Sequence, residues 1–281
     1  MPTVAEKRAV YRQLHQSGCF VIPNPWDVGT ARYLQGLGFK ALASTSAGFA
    51  FTLGLPDGAV TRDTMLAHFR EIASATDVPV NADFEGGYAD APEGVAESVR
   101  LCIATGVAGL SIEDSTSDPA IPLYDFDLAL ARVRAARAAI DKAGGDVVFT
   151  ARSEGFVRGR PDLDETIRRL KAFADAGADC LYAPGIKTPE EIAAVVKAVA
   201  PKPVNFLMAT ATDLTVNDLA SLGVRRISLG GTLARVAWTA LTRAARAIAN
   251  EGKFASLAGT MANAELNAFF RDDMTKRGRM G

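Results

Sequence analysis

The chain has 281 residues, 31 of them basic and 32 acidic, and a formal net charge of -1. This balance argues against a nucleic-acid partner and against binding to an acidic membrane surface. Hydrophobic residues make up 48% of the chain, which excludes general disorder and supplies a large core. The sequence shows no apolar run long enough to cross a bilayer and no signal core near its start, so we expect a soluble, cytoplasmic protein.

Three cysteines and two histidines restrict the chemistry further. Cys19, Cys102 and Cys180 are too widely spaced for a zinc or redox motif, and we expect them to be buried free thiols. His15 and His68 are not close in sequence to a plausible nucleophile and acid. The sequence therefore gives little support to a mechanism of the Ser-His-Asp type.

The first predicted element is a helix over residues 3–17, because Thr3 followed by Glu6 is a capping-box pattern and Gly18 is a stop signal. After it, short apolar runs alternate with longer segments of helical period. Runs that are apolar without clear alternation are typical of parallel strands buried on both faces. The predicted strands are Phe20–Pro23, Lys40–Ser44, Val78–Ala82, Gly109–Ile112, Val147–Ala151, Cys180–Tyr182, Pro203–Leu207 and Arg225–Leu229.

Segments of helical period separate these strands. The clearest are Asp125–Ala143, Asp162–Ala176, Pro189–Ala200 and Gly231–Asn250. Eight strands alternating with helices predict a (β/α)8 TIM barrel that occupies residues 1–281 as one domain. A doubly wound sheet is the structural alternative, but the Gly-rich turn typical of it does not follow the first strand. Residues 251–281 form a C-terminal helical extension whose apolar side chains need a partner surface.

Polar residues gather at the predicted C-terminal ends of the strands, where barrel enzymes place their chemistry. They are Asn24, Ser44, Thr45, Ser46, Asp83, Glu85, Glu113, Asp114, Arg152 and Asn205. Four carboxylates and one arginine thus converge on one end of the barrel. Their recurrence on several strands is more informative than any single residue.

Asp83, Glu85 and Glu113 form an oxygen-only cluster in this set. Two residues apart in an extended chain, Asp83 and Glu85 point the same way. Such a cluster suits a hard cation, most simply Mg²⁺ held by few carboxylates and several waters, with Mn²⁺ as a substitute. The alternatives are a solvated acidic loop or an ion pair with Arg152.

Arg152 ends the fifth predicted strand, and its guanidinium suits the carboxylate of a substrate. The alternative is a structural salt bridge to Glu113, Asp114 or Glu154. The hydroxyl and N–H groups of residues 44–46 suit an anionic group, with an ordinary polar loop as the alternative.

At these motifs the chain resembles the isocitrate lyase / phosphoenolpyruvate mutase superfamily. The matching segments are Asn24-Pro-Trp-Asp27, Ser44-Thr-Ser-Ala-Gly48, Leu53-Gly-Leu-Pro-Asp57, Pro79-Val-Asn-Ala-Asp83-Phe-Glu85-Gly-Gly-Tyr88, Gly109-Leu-Ser-Ile-Glu113-Asp114 and Ala151-Arg152. Their order and spacing cover most of residues 18–250. The resemblance implies a (β/α)8 barrel that assembles as a dimer or tetramer, with its eighth helix swapped between subunits.

The resemblance also implies roles for individual residues. Asp83, Glu85 and Glu113 would bind Mg²⁺ and its waters, and Arg152 would bind the substrate carboxylate. The remaining substrate contacts would come from Ser44, Thr45, Ser46 and the loop residue Asp57, and we add the strand-end residue Asn205. The mechanism common to the superfamily breaks a bond at C3 of a small 2-oxo acid and stabilises the resulting enolate.

The chain departs from the superfamily in segment 115–127. Lyases of this superfamily carry a Lys-Lys/Arg-Cys-Gly-His loop there, whereas this segment has no Cys, His or Lys. Pro184 stands where the lyase branch has a glutamate, and the asparagine of the phosphonate-cleaving branch is missing. The proton donor is therefore open, with Tyr88, Tyr124 or water as the candidates. The other residues we expect to be catalytic are Arg152 and Glu113.

These observations predict a Mg²⁺-dependent C–C lyase or decarboxylase that acts on a small 2-oxo or hydroxy carboxylic acid. Two alternatives stay open. One is a phosphonate mutase or hydrolase that breaks a P–C bond, and the other is a non-catalytic barrel that binds a 2-oxo acid.

Overall fold

A computed structural model describes residues 2–278 of the chain. Its strands are β1 Phe20–Ile22, β2 Leu42–Ala43, β3 Val80–Asp83, β4 Gly109–Glu113, β5 Val148–Arg152, β6 Cys180–Tyr182, β7 Val204–Leu207 and β8 Arg226–Ser228. They form one parallel sheet in the order β1-β8-β7-β6-β5-β4-β3-β2. The N–H of Ala43 donates to the carbonyl of Pro23 at 3.0 Å, which brings β2 beside the end of β1 and nearly closes the barrel.

Helices follow the strands in turn, which confirms the predicted (β/α)8 barrel. They are α1 Val4–Leu14, α2 Val28–Gly36, α3 Ser46–Thr52, α4 Arg62–Ala75, α5 Pro92–Ile103, α6 Phe126–Lys142, α7 Leu163–Asp175, α8 Pro189–Val199, α9 Val216–Ser221, α10 Thr232–Glu251 and α11 Asn263–Lys276. A short 3-10 helix, Ala255–Leu257, lies between the last two. No helix within residues 2–278 is long and apolar enough to span a membrane.

The strands alternate more strictly than the sequence pattern suggested. Their outward side chains, among them Leu110, Phe149 and Ile227, belong to the main apolar core between sheet and helices. Inward side chains at the alternate positions, such as Asp83 and Ser111, are polar and line a cavity. The strands are buried on both faces as predicted, but their inner face carries polar side chains as well as apolar ones.

Helix α1 closes the N-terminal end of the barrel. The predicted capping box is present, with Thr3 and Glu6 each bonding the other's backbone N–H, although the helix ends at Leu14 rather than at residue 17. Tyr11 is fully buried in a small apolar cluster that includes Ile22 and Val148. Gly109 makes room for it, since a Cβ there would lie 2.5 Å from Cε1 of Tyr11.

The C-terminal segment divides into two parts. Helix α11 packs on α2 of the same chain: the ring of Phe269 lies 4.6 Å from that of Tyr33 and fills the space beside Gly36. Helix α10 is different, because Ala234 is the only buried residue among its twenty. All three cysteines are free thiols as expected, with Cys102 and Cys180 buried and Cys19 half-buried.

Candidate active site

A cavity of about 1110 Å³ opens at the C-terminal ends of the strands. Every residue predicted for the site lines it. These residues are Ser44, Thr45, Ser46, Asp57, Asp83, Glu85, Tyr88, Glu113, Tyr124, Arg152 and Asn205. The parallel sheet explains the convergence, because it brings the carboxyl end of each strand to the same edge. Their individual roles stay predictions.

Arg152 lies at the centre of the carboxylates. Its Nη1 is 2.8 Å from Oδ1 of Asp83 and 3.0 Å from Oε1 of Glu113, and its Nε donates to Oε1 of Glu154 at 2.8 Å. Strand register produces this grouping, since Glu113 of β4 is the direct partner of Arg152 of β5. The guanidinium also lies 4.8 Å from the centre of the Tyr182 ring. Arg152 thus forms the ion pairs expected of a structural salt bridge. Its Nη2 has no hydrogen-bond partner within residues 2–278 and remains available for a substrate carboxylate.

Glu85 and Tyr88 form a hydrogen-bonded pair in the loop after β3. The Tyr88 hydroxyl donates to Oε1 of Glu85 at 3.0 Å. Both residues have positive φ, +48° and +57°, which is unfavourable for side chains of this kind and holds them toward the cavity. Burial raises the pKa of Glu85 to about 7, and the negative charges of Asp83, Glu113 and Asp57 add to this effect.

Asp57 reaches the cavity from the loop between α3 and α4. Burial is the main cause that raises the pKa of its carboxyl group, while a hydrogen bond with the side chain of Ser46 opposes the shift. Asp57 therefore extends the acidic cluster on the side of β2.

The segment after β2 supports Asp83 rather than forming an open loop. Oγ of Ser44 accepts from the N–H of Asp83 at 2.8 Å, and the N–H of Ser46 donates to Oδ2 of Asp83 at 3.0 Å. Thr45 caps α3 by accepting from the N–H of Gly48. The Ser44 hydroxyl and the Ser46 N–H fix the position of Asp83. An anionic group that binds residues 44–46, as predicted, would have to share these two groups with Asp83.

Two other predicted residues lie at the cavity wall with their polar groups already engaged. The amide of Asn205, fully buried, accepts from Nε of Arg226 at 2.7 Å and donates to Oγ of Ser228 at 2.9 Å. The hydroxyl of Tyr124 donates to the carboxylate of Asp90, and its ring lies 4.0 Å from the guanidinium of Arg132. Of the two candidate tyrosines, only Tyr88 bonds to the acidic cluster.

The loop after β5 contributes two residues that the sequence pattern did not single out for the site. Glu154 is 2% exposed and binds Arg152, while its own N–H donates to Oδ1 of Asp114 at 2.7 Å. Arg158 lies four residues further on, and its Nη2 donates to Oγ of Ser115 at 3.1 Å. Both residues follow Arg152 in the loop after β5. Their position just beyond a strand end is the sequence signal that would have identified them as candidate site residues.

The divergent segment 115–127 begins as a narrow loop at the cavity rim. Ser115 and Leu123 form an antiparallel bridge, and the N–H of Thr116 donates to the carbonyl of Pro122 at 3.1 Å. The segment contributes Ser115, Thr116 and several following residues to the cavity wall. The segment therefore lies at the cavity rim, where the resemblance places a Lys-Lys/Arg-Cys-Gly-His loop, but it contains no Cys, His or Lys.

The charges around the cavity are unequal. Seven carboxylates line it against three guanidinium groups, which leaves an excess of four negative charges when all are ionised. The carboxylates belong to Asp57, Asp83, Glu85, Asp90, Glu113, Asp118 and Glu154, and the guanidinium groups to Arg152, Arg158 and Arg226. Within residues 2–278 no three His, Cys, Asp or Glu side chains are arranged to hold a metal ion by themselves. The oxygen-only donors nevertheless fit Mg²⁺, which commonly binds one or two carboxylates and keeps several waters.

A polar cavity of this kind, at the C-terminal end of a parallel (β/α)8 barrel, is the arrangement found in barrel enzymes. Residues 11–249 match the family model of phosphoenolpyruvate phosphomutase. The chain therefore belongs to the phosphoenolpyruvate mutase/isocitrate lyase superfamily, a group that contains lyases and mutases.

Three relatives illustrate the range of that superfamily. A protein of Burkholderia cenocepacia J2315 described as a lyase/mutase has a crystal structure that is 46% identical, with a TM-score of 0.91 over 95% of this chain and 96% of that one. The oxaloacetate decarboxylase of Paraburkholderia xenovorans is 31% identical over 79% of this chain and 74% of its own. The crystal structure of a 2,3-dimethylmalate lyase is 28% identical, with a TM-score of 0.84 and all of both chains covered.

Proposed function

We propose that this protein is a Mg²⁺-dependent C–C lyase or decarboxylase that acts on a small 2-oxo or hydroxy carboxylic acid through an enolate. The observation that carries the proposal is the position of Arg152 among Asp83, Glu113 and Glu154, in a cavity lined by more carboxylates than guanidinium groups. An anionic substrate would be repelled from such a cavity unless a cation entered with it. The similarity to an oxaloacetate decarboxylase and a dimethylmalate lyase supports the same reaction class.

Asp83 and Glu85 are the residues we expect to hold the metal ion and its waters, with Glu113 behind them. A divalent cation there would neutralise negative charge that develops on the 2-oxo oxygen as the enolate forms. Ser44 and Ser46 orient Asp83 through two hydrogen bonds. This preorganisation means that the carboxylate need not rearrange during the reaction.

Arg152 would bind and orient the substrate carboxylate. Its Nε and Nη1 are fixed by three carboxylates, so the direction of Nη2 is set before a substrate arrives. With the carboxylate of a 2-oxo acid held there, the C3–C4 bond breaks and its electron pair passes into the C2–C3 enolate. A C4 carboxylate then leaves as carbon dioxide. A fragment with a C4 hydroxyl instead leaves as a carbonyl compound, with the hydroxyl proton passing to a carboxylate of the cavity.

A proton must then reach C3. Tyr88 is the side chain we favour, because its hydroxyl lies in the cavity 3.0 Å from Glu85. Burial raises the pKa of Tyr88, so its hydroxyl remains protonated at neutral pH. Tyr124 is less suitable, since its hydroxyl bonds to Asp90 rather than to the acidic cluster that contains Glu85.

Proton NMR of a substrate panel tests the proposal. The purified protein is incubated in D₂O with pyruvate, oxaloacetate and methyl-substituted 2-oxo acids, with Mg²⁺ or with a chelator. We expect exchange of the C3 protons of pyruvate, loss of at least one longer acid, and dependence of both on the metal. Binding of a 2-oxo acid without exchange or turnover across the panel would support the non-catalytic barrel instead.

Phosphonate chemistry is a second candidate, favoured by the match of residues 11–249 to the phosphoenolpyruvate phosphomutase model. Phosphorus NMR separates the two reactions. A P–C mutase or hydrolase interconverts phosphonopyruvate and phosphoenolpyruvate or releases phosphate, whereas the proposed lyase leaves the phosphonate signal unchanged.

We also propose that a second copy of the chain covers α10. Val236, Trp238 and Leu241 are 61%, 45% and 57% exposed on a helix that follows the last strand of the barrel. Each copy leaves the same apolar face uncovered, so an exchange of α10 between two copies would bury both. Light scattering coupled to size-exclusion chromatography should give a dimer or tetramer, and a monomer at micromolar concentration would contradict this.

A further inference from the structure

Arg158 lies at the mouth of the cavity and takes no part in the proposed chemistry. We propose that Arg158 binds a second anionic group of the substrate, attached to C3, and so selects a dianionic acid over a monocarboxylate. This inference rests on the proposed function for the position of the first carboxylate, but its test does not require turnover.

The three guanidinium groups of the cavity differ in how fully they are engaged. Arg152 binds three carboxylates, and Arg226, only 3% exposed, donates to Asn205, Tyr11 and Thr150 at the cavity floor. Arg158 makes one side-chain hydrogen bond, to Oγ of Ser115, and its side chain is 44% exposed. Within residues 2–278, its Nε and Nη1 have no hydrogen-bond partner. Among the three lining arginines of the described residues, Arg158 therefore has the most nitrogen atoms without a hydrogen-bond partner.

Glu113 fixes the spacing between the two arginines. Its Oε1 lies 3.0 Å from Nη1 of Arg152, and its Oε2 lies 3.6 Å from Nη2 of Arg158. The two guanidinium groups therefore contact opposite oxygens of one carboxylate. A small acid with anionic groups at both ends can reach both of them.

The backbone also positions Arg158. Its N–H donates to the carbonyl of Glu154 at 3.0 Å, and the Glu154 side chain holds Nε of Arg152. Arg152 thus ends β5, and Arg158 lies in the short loop that follows it. Because the cavity carries excess negative charge, a distal anion needs a local cation, and Arg158 supplies it.

Equilibrium binding tests the inference with lactate, malate and 3-phosphonolactate in the presence of Mg²⁺. The three ligands share a 2-hydroxy carboxylate and differ only in the group on C3. In R158Q we expect malate or 3-phosphonolactate to bind about 10- to 100-fold more weakly, with lactate binding unchanged. The ligand that loses more affinity identifies the distal group as a carboxylate or a phosphonate.

Two variants make the result specific. R158K keeps the charge without the planar fork, so we expect an intermediate loss. R160Q removes an exposed arginine of the same loop that does not line this cavity, and we expect no change. Equal losses for lactate and the dianions, or no loss in R158Q, would overturn the inference. Dianion selectivity that depends on Arg158 in a protein without exchange or turnover would overturn only the proposed function.

Discussion

Asp83 and Arg152 are 69 residues apart in the chain and form an ion pair of 2.8 Å at the mouth of the barrel. Asp83 ends β3 and Arg152 ends β5, and β4 lies between them in the sheet. Ser44 and Ser46 fix the other side of Asp83 through hydrogen bonds. The pair therefore links the ends of three strands, β2, β3 and β5.

The first prediction concerns Asp83 itself. D83N keeps the shape of the side chain but loses the negative charge that would face a metal ion. Its amide oxygen can accept from Ser46 or from Arg152, but not from both. We expect turnover, or pyruvate proton exchange, to fall about 100-fold or more. Isothermal titration with Mg²⁺ should show weakened metal binding in the same variant.

D118N is the matched control for D83N, because it neutralises an exposed carboxylate of the same cavity. It should retain wild-type activity and metal affinity. Full activity of D83N at saturating Mg²⁺ would contradict the proposed metal site.

Tyr88 gives the second prediction. Y88F removes the hydroxyl that lies 3.0 Å from Glu85, and we expect the protonation step to slow by about 10²- to 10⁴-fold. Pyruvate exchange in D₂O measures this step directly. Y124F should have a smaller effect, since Tyr124 bonds to Asp90 at the edge of the cavity. A reversed order of the two variants would assign the proton to Tyr124.

The third prediction is a pH dependence of stability that arises from His68. This residue is 3% exposed and stacks on Phe49 with ring centres 3.7 Å apart. Burial lowers its pKa to about 4, whereas the unfolded chain binds a proton near pH 6.5. Its stabilising effect is therefore complete above pH 6.5, and it falls by about 1.4 kcal/mol per pH unit as the pH drops toward 4.

Urea unfolding of wild type and H68F at pH 7 and pH 5 checks this effect. Phenylalanine can keep the stack on Phe49 but cannot bind a proton, so H68F should lose less stability than wild type on acidification. His15 remains in both proteins, and burial followed by the charge of Arg226 lowers its pKa to about 3. Identical acid losses in the two proteins would show that His68 does not titrate in this range.

The fourth prediction concerns assembly. L241E places a charge on the exposed apolar face of α10, and we expect it to convert the oligomer to monomers in light scattering. L37E is the control, because Leu37 is similarly exposed, at 61%, but lies at the end of α2. If both variants keep the wild-type mass, α10 does not form the interface.

Local sequence signals placed several elements closely. Thr3 and Glu6 form the reciprocal hydrogen bonds of a capping box, a contact between residues three apart that needs no tertiary structure. The predicted β6 strand, Cys180–Tyr182, has the bounds that the structure shows. Burial of the strands on both faces was also predicted, but a short apolar run does not reveal which of its side chains face a cavity.

The sequence by itself determined the order of strands and helices, and with it the set of polar residues at one end of the barrel. That information is local: it lies in apolar periodicity and in the residue type that follows each strand. Which of those groups touch was decided only by the tertiary structure. Strand register sets Arg152 against Glu113 and leaves Asn205 bonded to Arg226, and the turn after β5 brings Glu154 and Arg158 to the same site. Such contacts depend on the pairing of neighbouring strands, since it joins residues that the chain keeps far apart.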